Sequence, residues 1–146
     1  MNIAFFLLPK KDVVYLPLKS TMRQAMEKMD YHRYTALPII DSEGRYVGTL
    51  TEGDLLRKMK NTPGLSFEGT ERVPLEEIPR RLNDKAVPVS AQIEDLLSLA
   101  IMQNFIPVVD DSGIFIGIIR RSQIIEYFAR ERRQEAARPL RMVKGE

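Results

Sequence analysis

The sequence predicts a mixed α/β (α+β) fold: two β-α-β-β-α units packed pseudo-symmetrically through their sheets. Three observations carry this. The chain repeats itself, each copy runs through the same order of apolar patterns, and 146 residues suit two small halves sharing one core. The repeat is read first. Leu37-Pro38-Ile39-Ile40-Asp41, then Gly44, then Tyr46-Val47-Gly48 aligns without a gap on Ile106-Pro107-Val108-Val109-Asp110, then Gly113, then Phe115-Ile116-Gly117. Upstream, Leu16-Pro17-Leu18 matches Val87-Pro88-Val89, with two fewer residues between the blocks in the second copy.

Each element follows from its pattern. A short strand (Val13–Leu18; Ala86–Val89) leads to Ser20-Thr21 or Ser90-Ala91, where a serine can cap a helix. Apolar residues then recur at helical spacing: Met22, Ala25, Met26 and Met29 in one copy, Ile93, Leu96, Leu97 and Ala100 in the other. A strand ending in Asp, a turn carrying Gly44 or Gly113, and a second strand (Tyr46–Leu50; Phe115–Ile119) follow. A second helix closes each copy on Leu55, Leu56 and Met59 or on Ile124, Ile125 and Phe128. The organisation expected is an N-terminal arm over 1–12, units over 13–60 and 86–130, a linker over 61–85 and a charged tail over 131–146. Pro63-Gly64, Gly69, Pro74 and Pro79 break the linker, Leu75 to Ile78 suggest a helical turn within it, and Pro139 stops the last helix.

Composition narrows the chemistry. With 44% hydrophobic and 29% charged residues the chain is expected to fold, and a mean hydropathy of −0.23 is far from that of a membrane protein. No cysteine excludes disulfides, thiolate nucleophiles and zinc fingers, and fits a reducing cytosol. The single histidine, His32, leaves little for a metal site or a histidine-based catalytic cluster and reads as a surface loop residue. Twenty-two basic residues nearly balance twenty acidic ones, which argues against a dedicated nucleic-acid binder; only Arg130, Arg132, Arg133, Arg138 and Arg141 keep such a role open. The apolar run Ile3 to Leu8 is too short for a signal peptide or a span and reads as a buried strand or packed arm, so a cytoplasmic protein is expected.

The most specific motif is Gly48-Thr49-Leu50-Thr51-Glu52-Gly53-Asp54, between an apolar strand and an apolar helix. Thr51 and Asp54 fit two roles. They match the capping-box pattern, with both side chains bonded to backbone N–H groups. They also fit a nucleotide contact, with phosphate at the helix start and ribose hydroxyls on the carboxylate. In the second copy Arg120 stands for Thr51 and Gln123 for Asp54, so a ribose carboxylate is missing there. Arg120 and Arg121 suit a phosphate clasp, or are a solvated charge pair.

The duplicated block and the G-x-x-T-x-x-D motif together resemble a tandem pair of CBS domains, the Bateman module, over roughly residues 13–130. The resemblance implies two clefts that commonly bind adenine nucleotides. Facing Arg120, Arg121 and Gln123 it implies a wall of Asp12, Val14, Arg33, Tyr34, Thr35 and Ala36. Facing Thr51 and Asp54 it implies Lys85, Ala86, Gln103, Asn104 and Phe105. Tyr34 and Phe105 are either adenine-stacking or core aromatics; Met22, Met26 and Met29 read as core fillers.

A regulatory ligand-binding module is therefore expected, with AMP, ADP, ATP or cyclic di-AMP as ligand, no metal required, and an unidentified effector protein as listener. A homodimer through the helices is also expected, with Met26, Met29, Leu97 and Ile101 as candidate contacts; the competing class is a structural module that only dimerises and binds no nucleotide. An enzyme is disfavoured, since no Walker-type loop or metal-ligand cluster is present.

Overall fold

In a computed structural model, which describes residues 1–81 and 84–139, the two repeats form two sheets that meet face to face. Leu82, Asn83 and residues 140–146, with Arg141 and the end of the tail, lie outside the described residues.

In the first unit, β2 (Leu16–Pro17) runs parallel to β3 (Ala36–Ile40), which pairs antiparallel with β4 (Tyr46–Thr51). Helix α1 (Met22–His32) makes the crossover and α2 (Glu52–Lys60) follows β4. The second unit repeats this with β5 (Val87–Pro88), α3 (Leu97–Met102), β6 (Phe105–Val109), β7 (Phe115–Arg120) and α4 (Arg121–Ala137). Its sheet gains a fourth strand, β1 (Leu8–Pro9), antiparallel to β7 with Leu8 opposite Ile118.

The repeated residues have repeated work. Asp41 Oδ1 accepts from the N–H groups of Glu43 and Arg45, both at 2.9 Å, and Asp110 Oδ1 from those of Ser112 and Ile114 at 2.8 and 3.0 Å. These Asx turns need a residue with positive φ, which Gly44 (86°) and Gly113 (81°) provide.

Three details differ from the sequence pattern. Thr21, not Ser20, caps α1: its Oγ1 accepts from Gln24 N, and Gln24 Oε1 accepts from Thr21 N. A capping box needs an acceptor three residues on, and Ser20 is followed there by Arg23. In the second copy Ser90 faces Ile93 at that spacing, so the cap falls to Gln92 with Asp95, and a 3-10 turn (Ile93–Leu96) precedes a short α3. The first strands are two residues long, because Pro17 and Pro88 have no N–H for the ladder.

Each unit has its own core. Leu16, Met22, Ala25, Met29, Leu37, Ile39, Leu50 and Leu55 fill the first, joined by Leu75 and Ile78 from the linker. Ile3 from the arm joins Ile93, Leu96, Ala100, Ile106, Val108, Ile119 and Ile124 in the second. A third cluster, Val13, Ala36, Ile40, Phe105, Phe115 and Ile118, takes residues from both sheets and joins the units. Phe115 N also donates to Gly44 O at 2.9 Å, from one unit to the other. Met29, expected among the dimerising residues, is buried in its own unit, and Met26 packs half-buried against that core; Leu97 and Ile101 are exposed.

Candidate functional site

Where β3 and β6 start, the joined sheets leave a cavity of ≈ 230 Å³ lined by both units. Asp12, Val14, Tyr34, Thr35 and Ala36 line it from the first half, and Arg120 at the end of β7 lines it from the second. Its floor is apolar, built partly by Ala36, Phe105 and Ile118 of the shared cluster. The charged groups on its wall are one carboxylate, Asp12, and one guanidinium, Arg120.

Arg120 is held by its neighbours. As the residue before α4 it donates from its backbone N and from Nε to Gln123 Oε1, at 3.2 and 3.3 Å. Gln123 thus positions Arg120 and is not itself on the wall. Arg121 turns away from the cavity: Nε donates to Gln103 O and Nη2 to Asn104 Oδ1, both at 2.9 Å. Asn104 Nδ2 in turn donates to Thr35 Oγ1 at 3.3 Å, so Arg121, Asn104 and Thr35 form a strap over one edge. Asn104 and Phe105 line the same cavity as Arg120, because equivalent segments of the two copies meet at this seam.

Tyr34 is 48% exposed at the rim and stacks on His32, with centroids 5.7 Å apart and planes 15° from parallel. Arg33, between them, ends α1 in the left-handed conformation (φ 59°) and lies off the cavity wall.

The Thr51 and Asp54 constellation is built differently. Asp54 is 1% exposed, and its carboxylate is engaged. Oδ2 accepts from Thr51 N at 3.0 Å; Oδ1 accepts from Arg57 Nη2 at 2.6 Å and from Arg81 N at 3.1 Å. Thr51 Oγ1 accepts from Asp54 N at 3.2 Å, completing the capping box. Lys85 and Gln103, 18 residues apart in the chain, bond to each other. Gln103, 4% exposed, accepts from Lys85 N at 2.9 Å and donates to Lys85 O and Phe105 O. Among the described residues they make no hydrogen bond to Thr51 or Asp54.

Burial also sets the titration of Tyr46 and Asp84. It pushes the Tyr46 phenol up to about 12, against a bond to Thr49 Oγ1 at 2.7 Å that works the other way. It raises the Asp84 carboxyl, opposed by the Thr49 hydroxyl and reinforced by the charge of Asp54. Sequence reasoning missed Leu8, Val13, Leu37, Pro38 and Ile118 on the cavity wall, and Arg57, Arg80, Arg81 and Asp84 around Asp54. Only Arg57, at i+3 from Asp54, carried a readable signal.

The family model for the CBS domain matches twice, at residues 7–61 and 75–130. The chain belongs to the CBS domain family. It is a tandem CBS pair, or Bateman module. An uncharacterised 17.7 kDa protein of Acidianus ambivalens is 24% identical over 127 residues, covering 86% of this chain and 73% of its own. The structure of the CbpB protein of Listeria monocytogenes in complex with c-di-AMP superposes with a TM-score of 0.77 at 18% identity, covering 92% of this CBS pair and 99% of that chain. CBSX2 in complex with AMP superposes with a TM-score of 0.70 at 23% identity, covering 90% and 98%. CBS domains are characteristically non-catalytic. Among the described residues no three His, Asp or Glu side chains converge as a metal site, and no helix is long and apolar enough to cross a membrane.

Proposed function

We propose that this CBS pair is a nucleotide sensor whose ligand, an adenine nucleotide, binds in the cavity between Tyr34, Ala36 and Arg120. The observation that carries the reading is the placement of one guanidinium at the mouth of an apolar, two-unit cavity. At ≈ 230 Å³ it is smaller than the roughly 300–1,000 Å³ of sites that enclose a whole ligand. It suits a base, with phosphates left at the rim, where a guanidinium binds them bidentately. Tyr34 offers a ring face to the base. AMP, ADP and ATP fit this description equally, and c-di-AMP fits if each of its halves has such a cavity. Because both units line the site, ligand stabilises their mutual arrangement, and a partner protein that distinguishes the two arrangements reads the bound state. That relatives bind AMP and c-di-AMP supports the choice of ligand class.

Thermal unfolding with and without millimolar AMP, ADP, ATP and c-di-AMP tests the reading. At least one is expected to raise the Tm of the wild type, and Arg120→Ala to abolish the rise. No shift with any of the four rejects it.

A second reading, assembly as a homodimer through the helices, is favoured by Leu97, Ile101 and Met102 of α3, with Ile101 75% exposed, beside Ile125 of the neighbouring α4. Light scattering of the wild type against Ile101→Glu distinguishes a dimer that this face holds from a monomer.

A further inference from the structure

The cleft at Asp54 already has an occupant: we infer that the chain's own linker, at Pro79 to Arg81, is seated there as an internal ligand and closes the cleft to nucleotide. Three observations converge. An added Cβ on Gly48 would lie 2.7 Å from Arg80 Nε and 3.1 Å from its Cζ, so the guanidinium lies against β4 in the space a side chain would take. One residue on, Arg81 N donates to Asp54 Oδ1, the oxygen that also takes Arg57. The approach to this segment is anchored, since Leu75 and Ile78 are buried in the first unit's core and Leu75 N donates to Ser20 O at 2.9 Å.

A buried carboxylate needs donors on most of its lone pairs. Thr51 N, Arg57 and Arg81 N supply three for Asp54. The hydroxyls of a ribose would compete with the Arg81 N–H for Oδ1, and the Arg80 guanidinium would have to leave Gly48 before a base could approach. The two clefts of this pair are therefore unequal. The Arg120 cavity is open, and the Asp54 cleft is filled by a segment of the same chain, whose tether makes its binding intramolecular.

Backbone amide hydrogen exchange and AMP stoichiometry test this. In the wild type the Arg81 amide is expected to exchange slowly. Arg80→Ala, which removes the group lying on Gly48, is expected to speed its exchange by about tenfold or more. Native mass spectrometry with AMP is expected to find no more than one nucleotide per wild-type chain, and a second in Arg81→Pro, which deletes the competing N–H. Exchange of the wild-type Arg81 amide at the rate of an unstructured peptide overturns the proposal. So does a wild-type chain that takes two AMP. The exchange measurement uses no ligand, so a chain that binds none of the four nucleotides rejects the sensor reading above while this one is still decided at Arg81.

Discussion

Thr35 and Asn104 occupy the same position in the two repeats, and they bond to each other, Asn104 Nδ2 to Thr35 Oγ1 at 3.3 Å. Arg45 and Ile114 are likewise counterparts, and they form an antiparallel bridge. Residues that meet their own equivalents lie on the pseudo-twofold axis. That axis runs through the seam between the sheets, so whatever binds beside Thr35 touches both units.

Phe115 makes this coupling measurable. It is fully buried in the cluster shared by the two sheets and donates its N–H to Gly44 of the other unit. Phe115→Ala is expected to cost about 3–5 kcal/mol in urea unfolding. Both units should still unfold in one transition, followed by Tyr fluorescence and circular dichroism; two separated transitions would contradict the shared core.

Ala36 lines the cavity with a methyl group where its counterpart in the other copy, Phe105, brings a ring. Ala36→Leu places its added atoms in the cavity, so its stability cost should fall below the ~1–3 kcal/mol usual for overpacking. The same variant is expected to lose the rise in Tm caused by whichever of the four nucleotides stabilises the wild type.

Asp54 has a structural role whatever binds near it. Asp54→Ala removes the α2 cap partner, the Arg57 ion pair and the acceptor for Arg81 N. A loss of about 2–3 kcal/mol is expected by chemical denaturation, with no nucleotide present.

Gly117 allows β1 to approach β7. A Cβ there would collide with the Leu8 carbonyl oxygen and lie 2.8 Å from Leu7 Cδ1. Gly117→Ala is expected to detach the arm, costing about 2–4 kcal/mol and speeding tryptic cleavage after Lys10 and Lys11.

Asp84 sets a pH dependence. Its folded carboxyl titrates above the ordinary 3.8, mainly because burial disfavours the charge. The folded state then holds the proton more tightly than the unfolded one, and stability falls as pH rises from 3.8 through the folded value. Asp84→Asn is expected to raise the Tm at neutral pH, with the gain shrinking toward zero below 3.8. A gain independent of pH would rule out this origin.

The pseudo-symmetric architecture was legible because the Pro-apolar-apolar-Asp blocks and their glycines recur at fixed spacing, and each recurs for a local reason: an Asx turn, a strand, a capped helix. Thr51 and Asp54 were legible only as a pair with two possible roles, since a capping box and a ribose contact ask for the same side chains. The cavity wall was legible in part. Asp12, Val14, Tyr34, Thr35, Ala36 and Arg120 line one space, while Asn104 and Phe105 join them from the segment assigned to the other cleft. A linear sequence does not say which equivalent segments cross an axis. The seating of Arg80 and Arg81 left no trace either, because a linker obeys no periodicity and its contacts lie far along the chain.

The arm has a consequence for biosynthesis. Ile3 completes the core of the second unit and Leu8-Pro9 the edge of its sheet, yet β7, their partner, is among the later elements to leave the ribosome. The arm's apolar side chains must wait, exposed, through translation of nearly everything between. Such closure by contacts distant in sequence is slow, and it leaves the arm's apolar residues without their partners until β7 is made.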